Sequence, residues 1–179
     1  VWAVDFIHDT DANGRPLKWL SVVDEYTREC PALEVERSMT ARGVADVLIG
    51  LFTTRGIPEH IRSDNGPEFI AQTIRRLADL TDVENLYVAP GSPWENGYAE
   101  SFHSRLRDEL LNAEVFADLR EAKALAERWR QEYNHHRPHS SLGYKPPAAF
   151  AATLAVPPVG AAPLPPARPA SRSMLTRLS

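Results

Sequence analysis

Residues 2–8 (WAVDFIH) and 17–24 (LKWLSVVD) are β-forming runs, and Asp11-Ala12-Asn13-Gly14 lies between them. Asn-Gly accepts the positive φ of a tight hairpin, so these two runs are predicted to pair as antiparallel neighbours. A third run, residues 32–37 (ALEVER), alternates apolar and charged positions as a half-exposed strand does. Whatever follows must attach to this three-strand start.

The rest of the chain alternates between the two periods. Thr40 is placed to cap a helix with an apolar stripe of Val44, Val47, Leu48, Leu51 and Phe52, which Gly56 and Pro58 terminate. Residues 60–63 form a short strand leading into Asp64. Asn65 and Glu68 make a capping pair, and Phe69, Ile70, Ile74 and Leu77 continue that helix. Residues 84–89 (ENLYVA) read as a fifth strand. Ser92-Pro93-Trp94-Glu95 then opens a helix running to about residue 112, and Asp118 with Glu121 opens another over residues 119–133. The order β-β-β-α-β-α-β-α predicts an α/β fold, a mixed five-stranded sheet flanked by helices. Residues 1–115 form the core, 116–153 a C-terminal helical extension of it, and 154–179 a Pro/Ala-rich tail too poor in apolar mass to join a core and expected to be disordered.

Composition sets limits on partners. No stretch approaches the roughly 20 apolar residues a bilayer span needs, so no membrane role is expected. Cys30 is the only cysteine and lies in a strand-like run, which reads as a half-buried thiol in a reducing cytoplasm. The net charge of −4 is not the footprint of a nucleic-acid binder. Its distribution softens that objection. Residues 1–100 carry 9 Lys and Arg against 17 Asp and Glu, whereas residues 101–145 hold 8 against 7 and residues 146–179 hold 3 against none. The acidity lies in the front part, where divalent cations would offset it.

Three carboxylates stand out. Asp5 interrupts an apolar strand, where an uncompensated charge costs several kcal/mol and calls for a metal or cationic partner. Asp64 ends the fourth strand, and strand ends are where α/β sheets build sites. Glu100 lies two turns past the cap of its helix. At 100° per residue, His103, Ser104 and Arg107 fall within about 60° of Glu100, while Phe102, Leu106 and Leu110 form an adjoining core stripe. Carboxylate oxygens are the hard ligands that Mg²⁺ or Mn²⁺ prefers, and three can hold two ions that clamp a phosphodiester for in-line attack.

At these residues the chain resembles a known family. WAVDF, VVDEYTRECPALEV, IRSDNGPEF, NGYAESFHSRLRDELLN and YNHHRPHSSLGYKPPAAF, in this order over roughly residues 1–150, look like the catalytic half of bacterial insertion-sequence transposases with a retroviral-integrase-like core. That family carries an Asp-Asp-Glu triad with 35 residues between its second and third members, and here Asn65 to Ala99 separate Asp64 from Glu100. It also places Lys or Arg seven residues after the glutamate, where Arg107 stands. The resemblance implies an RNase H-like fold and Mg²⁺-dependent DNA cleavage and strand transfer by Asp5, Asp64 and Glu100. It further implies DNA and a homo-oligomer as partners, and an upstream DNA-binding region, which suits a chain opening on an apolar strand.

Candidate DNA contacts are Arg107, His103, Ser104, Asn65 and Trp94; Trp94 reads equally as a base-stacking residue or a loop anchor. Two other functional readings stay open at this level: a truncated transposase remnant that only binds DNA or self-associates, and an RNase H-type nuclease. Asp9 and Asp11 are explained by the hairpin turn; Asp24 precedes a turn of its own, with a supporting role beside the metal site left open. Glu68 reads as a helix cap. His135, His136 and His139 lack a cysteine partner and the regular spacing of a zinc site, which favours a loop that touches DNA or packs on the core. Trp129 and Tyr133 fall on the apolar stripe of their helix and are expected in the core.

Overall fold

The computed structural model describes residues 1–63, 72, 73, 77, 87–90 and 97–155. Strands β1 (Trp2–Thr10), β2 (Pro16–Asp24) and β3 (Ala32–Glu36) are followed by helix α1 (Ala41–Arg55) and strands β4 (His60–Ser63) and β5 (Tyr87–Pro90). Helix α2 (Gly97–Leu106) runs into a π turn, Arg107–Leu111, and helices α3 (Leu119–His135) and α4 (Pro147–Ala155) follow. The five strands lie in the order β3-β2-β1-β4-β5. The first three are antiparallel, while β4 pairs parallel with β1 and β5 parallel with β4.

Turn and cap chemistry set the local boundaries. Asp11 Oδ1 accepts from the Asn13 and Arg15 amides, and Gly14 takes φ +72°, the left-handed conformation the hairpin requires. Asp11 is also buried and paired with Arg37 at 2.7 Å. Thr40 Oγ1 accepts from the Gly43 amide at the start of α1, and Gly56, at φ +80°, ends it. Asp118 Oδ1 accepts from the Glu121 amide, while the Glu121 carboxylate reaches back to the Ala117 amide rather than to Asp118 itself. The capping pair at Asn65 and the loop holding Trp94 lie outside the described residues.

Because side chains alternate across a strand, β1 divides its residues between two cores. Trp2, Val4 and Phe6 join Leu20, Val22, Leu48, Phe52 and Ile61 on the α1 face. Ile7 joins Leu17, Trp19, Val23 and Val35 on the opposite face, under Phe102, Leu106 and Leu110. Phe116, Ala122, Ala126 and Tyr133 belong to this second cluster, so α3 packs on the sheet and shares its core. Trp129 is half-buried and stacked on Tyr133, ring centroids 5.1 Å apart.

Two expectations need correction. Cys30 is fully buried rather than half-buried, and it lies in the β2–β3 connection, not in a strand. Burial pushes its thiol far above the ordinary range, because no medium there solvates a thiolate. The helix expected to run regularly to residue 112 instead changes to π geometry at Arg107, with the Asn112 amide bonded to the Arg107 carbonyl at 2.8 Å. The wider turn accompanies the packing of both Leu110 and Leu111 against one core cluster, which successive residues of an α-helix reach less easily.

Candidate active site

The alternation that buries Ile7 also turns Asp5 toward the α2 face. Asp5 lies directly opposite Ser21 in the β1–β2 register, so the two side chains emerge together beneath α2. Helix α2 is anchored there by Phe102 and Leu106, both buried, and its polar flank meets the strand pair through His103. His103 Nδ1 stands 3.3 Å from Asp5 Oδ2, and Nε2 stands 2.9 Å from Ser21 Oγ. Asp5 Oδ1 accepts from the Phe6 amide at 2.7 Å.

The Ser21 hydroxyl has one proton and two acceptors in reach, the Asp5 carbonyl at 3.4 Å and His103 Nε2 at 2.9 Å. The shorter contact is the stronger. It assigns Nε2 as acceptor and leaves the Nδ1 proton directed at the Asp5 carboxylate. This bridge fixes the Asp5 side chain and explains how a carboxylate is tolerated in an apolar strand. Sequence reasoning placed His103 among the DNA contacts. In the fold both ring nitrogens face protein groups, and the signal that might have shown it, Ser21 opposite Asp5, needs the strand register.

Glu100 precedes His103 by three residues on the same helix and is exposed. Residues three apart on a helix are neighbours, so Glu100 lies beside His103 on the side of α2 that meets β1. Ser104 and Arg107 are exposed on this helix as well, and no ion pair links Arg107 to a described residue. Glu109, two residues further on, pairs with Arg137 and accepts from Trp129 Nε1. Asp64, Asn65 and Trp94 lie outside the described residues; Ser63, which Asp64 follows in sequence, belongs to β4, the strand paired with β1. Among the described residues no three His, Cys, Asp or Glu side chains converge as a metal site.

Among the described residues, part of the front-end acidity is taken up by the fold itself. Asp11 pairs with Arg37, Glu25 with Arg62 and Glu29 with Arg55. Asp24 accepts from the Tyr26 and Thr27 amides and from Trp2 Nε1. Asn134 was missed altogether: its amide donates to the Cys30 carbonyl and its oxygen accepts from the Cys30 amide, at 2.9 and 2.8 Å. Within the His cluster, His135 and His136 are exposed, whereas His139 lies edge-on to Tyr133 at 5.1 Å.

Comparison with known proteins agrees with this arrangement. Two models of the integrase core domain match, over residues 1–93 and 81–147. The chain is 40% identical over 152 residues to a 31.7 kDa protein of insertion element IS407 from Burkholderia multivorans, covering 85% of this chain and 55% of that protein. It is 30% identical over 157 residues to the putative transposase InsD of insertion element IS2E from Escherichia coli, covering 83% and 72%. Against the first relatives it matches, the chain spans about half their length. The fold is that of the HTLV-2 integrase catalytic core solved with magnesium, at TM-score 0.63 and 15% identity over 83% of this chain and 93% of that one. It is likewise that of the BIV integrase catalytic core, at TM-score 0.59 and 20% identity over 85% and 94%. An RNase H-like sheet, a carboxylate held beneath the helix of a second carboxylate, and matches along nearly the whole described chain lead to one conclusion: this chain belongs to the integrase core domain family, among the transposases of bacterial insertion elements.

Proposed function

We propose that this chain is the catalytic core of a transposase that cleaves and joins DNA phosphodiesters with divalent metal, Mg²⁺ or Mn²⁺, using Asp5, Asp64 and Glu100. The observation that carries this is the His103 bridge, which ties the strand face of Asp5 to the helix face of Glu100. The donor set fits the metal. Both described carboxylates present hard oxygens, the kind of donor a divalent cation of this class takes. Asp5, Glu100 and Asp64 would hold the metal, which when bound supplies activation of the attacking hydroxyl and stabilisation of the leaving oxygen.

The chain's own residues supply position. The Phe6 amide and His103 fix the rotamer of Asp5, and Ser21 fixes the ring of His103. Arg107 and Ser104, exposed and C-terminal to Glu100, would meet the DNA backbone, with Arg107 as a bidentate phosphate ligand. Asn65 and Trp94 are proposed to contact DNA from the segments flanking the site. Residues 116–153 act with the 1–115 core as one unit. The family's partners, paired element ends, target DNA and further copies of the chain, follow from the same reading, as do an upstream DNA-binding region and a cytoplasmic site of action. No helix among the described residues is long and apolar enough to cross a membrane.

The test is Glu100→Gln. Gln keeps size and loses charge, so cleavage and strand transfer in Mg²⁺ should vanish while the thermal midpoint holds. Retained joining in Mg²⁺ rules Glu100 out of the chemistry.

A further inference from the structure

A cleft of about 400 Å³ opens on another face of α2 from the one that carries Glu100 and His103. Arg28 comes to it from the β2–β3 connection, Tyr98 and Arg105 from α2, and His139, Ser140 and Ser141 from the loop after α3. Among the described residues that line it there is no carboxylate, in a chain whose net charge is −4. Cationic and hydroxyl donors are thus gathered where acids are plentiful elsewhere.

Two buried polar nitrogens in this cleft have no hydrogen-bond partner among the described residues: Arg28 Nε and His139 Nε2. A buried polar atom left unpaired is costly, and native structures satisfy such atoms with a ligand or water. Arg28 is also held in an unusual conformation. Its φ is +63°, a left-handed value that a side chain with a Cβ disfavours, and its guanidinium lies over the Tyr98 ring at 3.2 Å from the centroid. One of its terminal nitrogens donates to the Glu25 carbonyl. The guanidinium is therefore fixed before any ligand arrives. Burial, and then the charges of Arg105, Arg137 and Arg28, hold His139 down to about 4, so the ring is neutral near pH 7.

We propose that this cleft is a second phosphate site, binding one backbone phosphodiester of the DNA through Arg28, Arg105 and the hydroxyls of Ser140 and Ser141. The DNA is thereby gripped on two faces of α2, the one that carries Glu100 and the one that lines the cleft. The proposal rests on the reading of the chain as a DNA-acting enzyme. It adds a site that the triad does not need.

The experiment follows binding of a fluorescent DNA duplex to the whole chain by anisotropy, in EDTA, across a KCl titration. Arg28→Ala and Arg105→Ala should each weaken binding about 5–10-fold near 0.1 M salt and lower the log–log salt slope by about 0.7–0.9. Ser140→Ala with Ser141→Ala should weaken binding without changing the slope. Arg120→Ala, exposed on α3 away from the cleft, should match the parent. Strand transfer by Glu100→Gln is measured separately from DNA binding by the cleft variants, which keeps failure of the cleft apart from failure of the active-site assignment. Parent-like slopes for both cleft arginines, or an equal loss in Arg120→Ala, overturn the proposal. In a parallel arm, inorganic phosphate is titrated while the His139 ring signals are followed by NMR. Phosphate should shift them and DNA should displace it. No shift, or a shift that DNA does not compete with, also overturns it.

Discussion

His103→Ala separates a positioning residue from a DNA contact. The Nδ1 contact to Asp5 is 3.3 Å long, beyond the 2.7–2.9 Å of a strong charge-assisted bond, and the two side chains keep 13% and 21% of their exposure. That places it at the low end of hydrogen bonds to charged groups, about 1.5–2 kcal/mol. At 1.36 kcal/mol per tenfold in rate, loss of Asp5 alignment should slow strand transfer about 10–30-fold. Asn puts an amide near the Nδ1 position and should recover part of the rate, whereas Gln reaches toward Ser21 and should recover less. The assay is single-turnover joining of a pre-cut DNA end, together with DNA affinity across salt. Affinity and its salt slope should be unchanged in all three variants. A flattened salt slope with full metal-dependent activity at saturating DNA would show that His103 touches phosphate and does not orient Asp5.

Asn134→Ala removes two hydrogen bonds and strands the buried Cys30 amide, whose carbonyl keeps a longer contact to Arg130. The cost should be about 3 kcal/mol, a fall of roughly 6–12 °C in the thermal midpoint for a domain of this size; a fall under about 2 °C in differential scanning calorimetry refutes the bracing role. Asp118 is held below its ordinary value chiefly by the Glu121 amide. Its folded pKa therefore lies under the unfolded one, and its contribution is present above the unfolded value and lost as pH falls through the folded one. Asp118→Asn, which can still cap, should flatten the acid limb of midpoint against pH below about 4, and an unchanged limb would count against the assignment.

The hairpin, the α1 stripe with its Thr40 cap, strand β4 and the Asp118 cap were all legible because each depends on residues a few positions apart. Strand β1 was predicted to stop at residue 8 and runs to Thr10, since pairing with Pro16 extends it beyond its apolar part. The spacing around Glu100 was readable for the same reason, and so was the buried stripe of Phe102, Leu106 and Leu110.

Contacts between distant segments were not legible. No periodicity links Asp5 to His103, Glu25 to Arg62 or Cys30 to Asn134, because each pair meets only when strands register and helices dock. The π turn at Arg107 likewise follows from packing Leu110 and Leu111 on one cluster rather than from any helix-breaking residue. Alternation, capping and the placement of charge follow from residue order, since they rest on covalent geometry and near neighbours. Which charges neutralise one another, that His103 meets Asp5, and that Arg28 and Arg105 share a cleft emerge with the packed fold, since electrostatic and hydrogen-bond partners are set by distance in space and not by separation along the chain.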